Sequence, residues 1–493
     1  MALRTDFLWV LFGRVATALI ALASLRIMTH LLEPKDYGIY ALLVAFQGFC
    51  GLFLINPVGQ HINRNTHAWW DDGTLLKRLV GYNAYILTIS LGIALVVVLW
   101  WLLYPSTDKN IMAGMLAALA VSAMVYLGTW NGTFVYILNM LGFRGGSVAW
   151  MTTSTIVGLT CSTILAYQYH TAMSWVLGQA LGMAVGAIGA GMMLRRHQAA
   201  RIPVSVVSVE LPTLLDRQTI IRYCLPLAAA TGFMWLQNTG YRFWVGGVWG
   251  VAELGILAIG LSISSQMWSI IESLAMQFLH PYFYRHITEA KTDLQTSAVL
   301  SDMVNVMWPL YAVFAGFNML FASSLLMVLT DDRYHYAVSF VMLGTLIEFA
   351  RCTTNLWSYA AQIQRRTTKV ILPYGLGALV VWLGAMGASY FNGDLNMLAI
   401  VLVISGVVTC AAMIVLMQRI LPIVLDVRRW AASSSILIIS IVVLVATPIR
   451  YDGLYQNAVL LLLGMLFSGG CMAVLLWRNP ALARLLSVSL RSA

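Results

Sequence analysis

The chain has 493 residues, of which 60% are hydrophobic and 10% charged, with mean hydropathy +0.81 and a formal net charge of +10. The positive charge is scattered over short connections instead of gathered on one face, which argues against a nucleic-acid footprint. No G-x-x-x-x-G-K-[ST] motif occurs and no stretch between the apolar runs is long enough for a soluble module, which argues against an ATP-driven pump on this chain.

A membrane-spanning helix needs about 20 apolar residues. Fourteen such segments follow one another: 7–31, 36–57, 80–104, 111–137, 147–168, 171–194, 219–249, 252–280, 297–330, 336–362, 370–391, 395–418, 430–448 and 454–477. The expected fold is therefore all-α and polytopic. If the N-terminus is cytoplasmic, alternate connections place 21 Lys and Arg on the inner side. Four (Lys35, Lys109, Arg333, Arg450) fall on the outer side. This bias holds along the whole chain and predicts an even number of spans with both termini cytoplasmic. The first segment is too long for a cleavable signal peptide, carries two arginines and ends at Glu33-Pro34 instead of a small-residue cleavage site. The six cysteines lie within or at the ends of apolar segments, without metal-site spacing, and read as reduced packing residues; no metal or other cofactor is expected.

The remaining four cations, Arg14, Arg26, Arg242 and Arg351, lie inside apolar segments. Each costs about 2.5–3.5 kcal/mol near a helix centre, so four cost on the order of 10 kcal/mol. Such residues face a partner or a wet cavity, and they suggest an anionic cargo. Arg14, Arg26 and Arg242 are candidate phosphate contacts, because guanidinium binds phosphate oxygens in pairs and stays charged when desolvated. The competing reading is snorkelling or capping of helix carbonyls. Arg14 and Arg26 stand ~18 Å apart along a helix and ~120° round it, so one rigid face cannot present both.

Gln60 and Arg64 fall where the second helix is expected to meet the inner surface, placed either to greet a pyrophosphate or simply as a solvated helix end. The following Trp69 and Trp70 read as an interfacial anchor. Trp235, Tyr241, Trp244 and Trp268 are candidates for stacking on sugar rings, against the commoner packing role. Glu272 has no obvious partner in its own segment, so proton coupling and pairing with a cavity arginine both stand open. Glu348 lies three residues before Arg351, on one helical face, and reads as its ion-pair partner. Pro309 is placed to bend the long segment 297–330.

At an offset of 217 the chain matches itself: Asp36 with Glu253, Gly38 with Gly255, Ile39 with Ile256, Ala41 with Ala258 and Gln60 with Gln277. This suggests two homologous lobes. Residues 1–194 form the first (spans 1–6), 195–218 a basic, proline-punctuated cytoplasmic linker, and 219–422 the second (spans 7–12). Residues 423–493 carry an extra helix pair and a cytoplasmic tail. In transporters built from repeats, the binding site commonly lies between them near the midplane.

Three stretches carry a family resemblance. Residues 26–40, with Leu31, Leu32, Pro34, Asp36, Tyr37 and Gly38, look like the first outer loop of the polysaccharide transporters. Residues 56–64, from Asn56-Pro57 to Arg64, look like the close of their second helix. Gly240-Tyr241-Arg242-Phe243-Trp244 followed by Glu253-Leu254-Gly255 is similar to their seventh-to-eighth helix pattern. The chain thus resembles the Wzx-type lipid-linked oligosaccharide flippases of the multidrug/oligosaccharidyl-lipid/polysaccharide exporter (MOP) superfamily. The resemblance implies a two-lobed, cation-lined cavity opening alternately to each face of the bacterial inner membrane. The implied cargo is undecaprenyl-pyrophosphate-linked repeat units for O-antigen or a related surface polysaccharide. No bond is made or broken. A proton or sodium ion is implied for coupling, with a polysaccharide polymerase and chain-length regulator as partners. Tyr241 stands where members often carry an acid, which argues against carrying an ion-coupling role to that position. The rivals are a membrane glycan polymerase or ligase, which usually needs a large outer loop, and a cation-drug exporter, which needs buried acids to match its cargo.

Overall fold

The computed structural model describes residues 2–103, 110–200, 225–226, 228–391, 393–446 and 453–486; the side chains of 2–12, 14, 277, 281, 445 and 446 lie outside the description. Every described element is helical. Twelve helices among the described residues are long and apolar enough to cross a membrane. The two expected segments not among them are the first, of which Val15–Leu31 is a shorter apolar helix, and 219–249, described only from 225.

The chain divides into two compact units, Met1–Gly255 and Ile256–Ala493. The division falls later than the expected linker at 195–218, because residues 228–255 pack along the second helix of the chain. In the first unit, α1 (Ala2–Leu31) lies on α6 (Arg144–Tyr169), with Gly13 against Val148. The chain turns at Glu33 into α2 (Pro34–Phe49), where Pro34 occupies a first-turn position whose missing N–H costs nothing. A π-helical turn, Cys50–Ile55, leads directly into α3 (Asn56–Asp71). The second span therefore does not end near residue 57. It continues as a 38-residue helix to Asp71, ~57 Å long. Its far end is held by Trp69 and Trp70, which are buried in a cluster with Leu75, Leu79 and Ile137.

Helices α4 (Leu75–Leu103) and α5 (Ile111–Met140) follow, then α6 and α7 (Ala172–Ala199). The α6–α7 pair approaches backbone to backbone: a Cβ at Gly182 would lie 2.4 Å from Gly158 Cα, and one at Gly178 2.3 Å from Ser162 Cα. Small residues permit such approach, which is how helices gain packing energy in lipid. A second π-helical turn, Leu236–Gly240, precedes α8 (Tyr241–Val248), which lies along α2. There Trp235 Nε1 donates to Ala45 O (3.0 Å), Thr231 Oγ1 to Leu52 O (2.7 Å), and Phe243 packs edge-on against Phe46.

The long helix α9 (Val251–Glu289) begins in the first unit. Its first turn crosses the first turn of α2 with no space for a side chain. A Cβ on Gly38 would fall 1.9 Å from Val251 O, and a Cβ on Gly255 would fall 1.9 Å from Pro34 O. Residues 34 and 38 are separated from 251 and 255 by the same 217 positions as the sequence repeat, so equivalent residues of the two copies contact each other reciprocally.

In the second unit, α10 (Asp293–Leu320) is the most enclosed helix. Its helix runs through Pro309 and stops at Phe321, after which α11 (Ala322–Leu329) starts afresh. Helices α12 (Val338–Ile363), α13 (Ile371–Tyr390) and α14 (Leu395–Gln418) complete the bundle. The C-terminal pair, α15 (Val427–Ala446) and α16 (Leu454–Leu476), and the short α17 (Pro480–Leu486) dock on α10. Trp308 stacks face to face on Trp430 at 3.7 Å. Asn305 donates to Val424 O and accepts from Asp426 N and Trp430 Nε1. Arg484 forms a bidentate pair with Asp302, Nε to Oδ2 at 2.8 Å.

Candidate functional site

The first unit contains a cleft of about 500 Å³ between the α2–π–α3 helix and α5. The π-turn makes it possible. A π-turn widens the helix by one residue and frees carbonyls from the regular ladder, and Pro57 has no N–H to return to Phe53 O. Two of the loosened carbonyls find side chains from neighbouring helices: Leu52 O accepts from Thr231 and Leu54 O from Tyr85 (2.9 Å). The wall that results faces α5 across an open space.

Five glycines line that space, and three of them, Gly51, Gly59 and Gly132, are open to it. A Cβ at any of these three would meet nothing within 4 Å. Glycine inside a helix costs about 1 kcal/mol relative to alanine, and here no neighbour demands it; room in the cleft is what it provides. Between the glycines stand Gln47, Asn63, Thr129, Thr133 and Tyr136. Thr129 Oγ1 donates back to Val125 O (2.6 Å). The side chains of Gln47, Asn63, Thr133 and Tyr136 make no hydrogen bond among the described residues. A membrane helix pair with four such donors and acceptors aimed at a void is suited to hydroxyl-rich, uncharged groups.

Of the sequence-predicted residues, Arg242 comes closest to the expected role. It is half-buried on α8, its Nη1 donates to Ala41 O (3.3 Å), and its buried Nε has no partner. Ala41 and the cleft-lining Gln47 are six residues apart on α2, ~9 Å along the axis and ~120° round it, and Arg242 is not among the residues that line the cleft. Trp235 flanks the cleft, its ring 3.6 Å from where a Cβ of Gly48 would stand. Gln60 and Arg64 are exposed on α3, each beside a cleft-lining residue, Gly59 and Asn63. Arg26 is half-buried on α1, away from the cleft lining, and its carbonyl accepts from Thr29 Oγ1. The Arg14 side chain lies outside the described residues.

Trp244 is half-buried on α8. Tyr241, 3% exposed, is closed off from any cavity. Trp268 is fully buried in the second unit, edge-on to Tyr311 and Phe314, with no ring face left for a sugar. The second unit also gathers Glu272, Glu348 and Arg351. Arg351 Nε donates to Glu348 Oε2 (2.6 Å) and its Nη2 to Glu272 Oε2 (3.0 Å). Two carboxylates thus share one guanidinium, and Glu272 finds its partner 79 residues away on α12.

Sequence reasoning missed the polar cleft residues. The signal was available on α5, where Gly128, Thr129, Gly132, Thr133 and Tyr136 recur at helical spacing within an otherwise apolar span.

This arrangement of helices has solved counterparts. It matches the lipid II flippase MurJ in an inward closed conformation with TM-score 0.62 at 12% identity, covering 96% of this chain and 100% of that one. It matches the eukaryotic MATE transporter AtDTX14 with TM-score 0.55 at 13% identity, covering 88% and 98%. A multidrug resistance MATE family transporter of the MOP superfamily in an inward-facing conformation aligns with TM-score 0.51 at 14% identity, covering 86% and 94%. The fold is that of the MOP transporters, a class of multi-span membrane carriers. The family model described as "Polysaccharide biosynthesis protein" matches residues 27–339, and the chain belongs to this family. Its family is thus one of polysaccharide biosynthesis proteins, and its helices follow the MOP-transporter fold. No curated protein sequence matches it.

Proposed function

We propose that this protein flips undecaprenyl-pyrophosphate-linked oligosaccharide units, for O-antigen or a related surface polysaccharide, from the cytoplasmic to the periplasmic leaflet of a bacterial inner membrane. Both termini are cytoplasmic in this reading, and the protein acts by alternating access without covalent chemistry. The observation that carries it is the uncharged, glycine-opened cleft of the first unit; a second support is Arg242, outside the cleft lining but bonded to the same α2 helix, with a buried, unpartnered Nε. Sugar hydroxyls meet Gln47, Asn63, Thr133 and Tyr136; the pyrophosphate meets Arg242. Guanidinium and phosphate at ~4 Å attract by about 4 kcal/mol in a partly wet site, before desolvation. The cargo shifts the carrier between its states only by binding one better than the other, so release requires that the arginine contact weaken on the outer side. A cation exporter would use unpaired acids, whereas Glu272 and Glu348 both engage Arg351.

The test uses cells lacking the native gene, complemented with variants at matched membrane levels. Arg242→Ala is expected to reduce surface glycan at least ten-fold, and Arg242→Lys to restore part of it. Gly132→Leu adds a side chain where nothing stands in the way, so it leaves the protein folded and blocks the cleft, again with at least ten-fold loss. Undiminished glycan in both Arg242→Ala and Gly132→Leu rejects the assignment.

A further inference from the structure

The first unit holds a second cavity, about 460 Å³, on the opposite side of α5 from the polar cleft. The two cannot communicate through the helix. Gly128 and Gly132 face the cleft; Trp130 and Phe134, two residues on and thus ~200° round the helix, face the groove. Its floor is an aromatic stripe, Tyr126, Trp130 and Phe134, one helical turn apart, with Trp130 and Phe134 stacked at 5.1 Å. Val80 on α4 and Ile188 on α7 form facing rims, 66% and 61% exposed.

The groove has polarity in two places. At its mouth stands Arg195, exposed in the last turns of α7 and without an acidic partner among the described residues. This is the basic end of the unit, where Lys77 and Arg78 open α4 and Arg196 follows. Deeper in, Asn83 Oδ1 accepts from both Tyr126 Oη (2.7 Å) and Trp130 Nε1 (3.2 Å). Those two bonds silence the polar atoms of the floor and fix the orientation of the amide, leaving Nδ2 as a donor without a partner among the described residues. Leu76 at the rim and Asn83 are seven residues apart on α4, ~10 Å.

We propose that this groove is a binding site for an anionic glycerophospholipid, which is distinct from the transported cargo. The phosphate sits on Arg195, an ester carbonyl accepts from Asn83 Nδ2, and an acyl chain lies along Tyr126, Trp130 and Phe134. Charge sets the headgroup class: an unneutralised guanidinium at the basic end favours an anionic over a zwitterionic lipid. The deeper donor sets the backbone class, since a polyprenyl chain has no carbonyl to offer it. The site rests on α5, whose other face forms the polar cleft, so an occupant braces the wall of that cleft from the lipid side.

The full-length protein, delipidated in detergent and mixed with equal phosphatidylglycerol and phosphatidylcholine of matched chains, is read by native mass spectrometry for retained lipid. Wild type is expected to retain phosphatidylglycerol preferentially. Arg195→Ala should lower that preference about five-fold, the factor of one cation near an anionic headgroup. Ile188→Trp, at an exposed rim position, should displace both lipids without unfolding the chain. In a competition arm, polyprenyl phosphate should displace phosphatidylglycerol poorly. Equal retention of the two phospholipids, an Arg195→Ala preference unchanged from wild type, or ready displacement by polyprenyl phosphate overturns the proposal. None of these readouts depends on transport, so the proposed cargo and this site fail separately.

Discussion

Alanine at Gly38 is expected to destabilise the protein by about 3 kcal/mol, alanine at Gly255 by about the same, and the double variant by about 3 kcal/mol and not 6. The clash is with backbone, not with a side chain that can turn away: the new methyl carbons would sit 1.9 Å from Val251 O and Pro34 O. Overpacking of this kind costs typically 1–3 kcal/mol and occasionally more. The helix preference for alanine over glycine returns about 1 kcal/mol of it, so the clash must exceed the usual range for the prediction to hold. The reciprocity of the contact gives the sub-additivity. Either methyl group forces the first turns of α2 and α9 apart, and once they are apart the second adds little; residues in contact commonly depart from additivity in this way. Thermal unfolding in detergent, followed by loss of monodisperse protein, measures all three variants. A fully additive double variant would show that the two glycines sit in independent surroundings, and a neutral single variant would show that the helices do not cross at this distance.

The crossing also indicates what the amino-acid order made legible. The match of Gly38 with Gly255 came from the sequence, as did twelve of the spans that the structure describes and the family itself, because apolar runs and loop motifs are local signals. What stayed hidden is tertiary or concerns continuity. Asn56-Pro57 and the polar residues to Arg64 read as a helix end. The helix instead runs on, since Pro57 falls in the first turn of α3, where the π-turn has already loosened the ladder, and Trp69 and Trp70 have a buried cluster to enter. The expected long segment 297–330 also divides, at Phe321, where α11 starts a new first turn, while the helix assignment continues through Pro309. Trp268 read as a candidate sugar platform because a sequence cannot tell a cavity wall from a core, and the pocket formed by Tyr311 and Phe314 decides it. The polar cleft was missed because its residues are individually unremarkable; Gln47, Asn63 and Thr133 belong to different helices and gain meaning only when the π-turn sets them facing one void.

Arg351 illustrates the same point with the largest energetic consequence after the helix crossing. The sequence paired it with Glu348 and left Glu272 open; the structure gives one guanidinium to both carboxylates, at 2.6 and 3.0 Å. Arg351→Ala is therefore expected to cost about 3 kcal/mol. Removing one partner of a sequestered ion pair strands the other charge, at 3–5 kcal/mol, and the lower end applies because the three side chains keep 29%, 21% and 12% exposure. Glu272→Gln alone should cost less than about 1 kcal/mol, since Glu348 still balances the arginine and the amide oxygen still accepts from it. The combination of Arg351→Met with Glu272→Gln and Glu348→Gln should recover most of the loss, as whole-cluster replacement of buried ion pairs does. Thermal stability in detergent orders the three. Should Arg351→Ala prove nearly neutral, the carboxylates would have to be neutralised without it, by taking up protons or a metal cation, and the cluster would then be a coupling site and not an anchor between α9 and α12. The same variant assayed for surface glycan under an imposed proton or sodium gradient separates these outcomes, because an anchor loses transport in proportion to protein level, whereas a coupling site loses the response to the gradient at unchanged level.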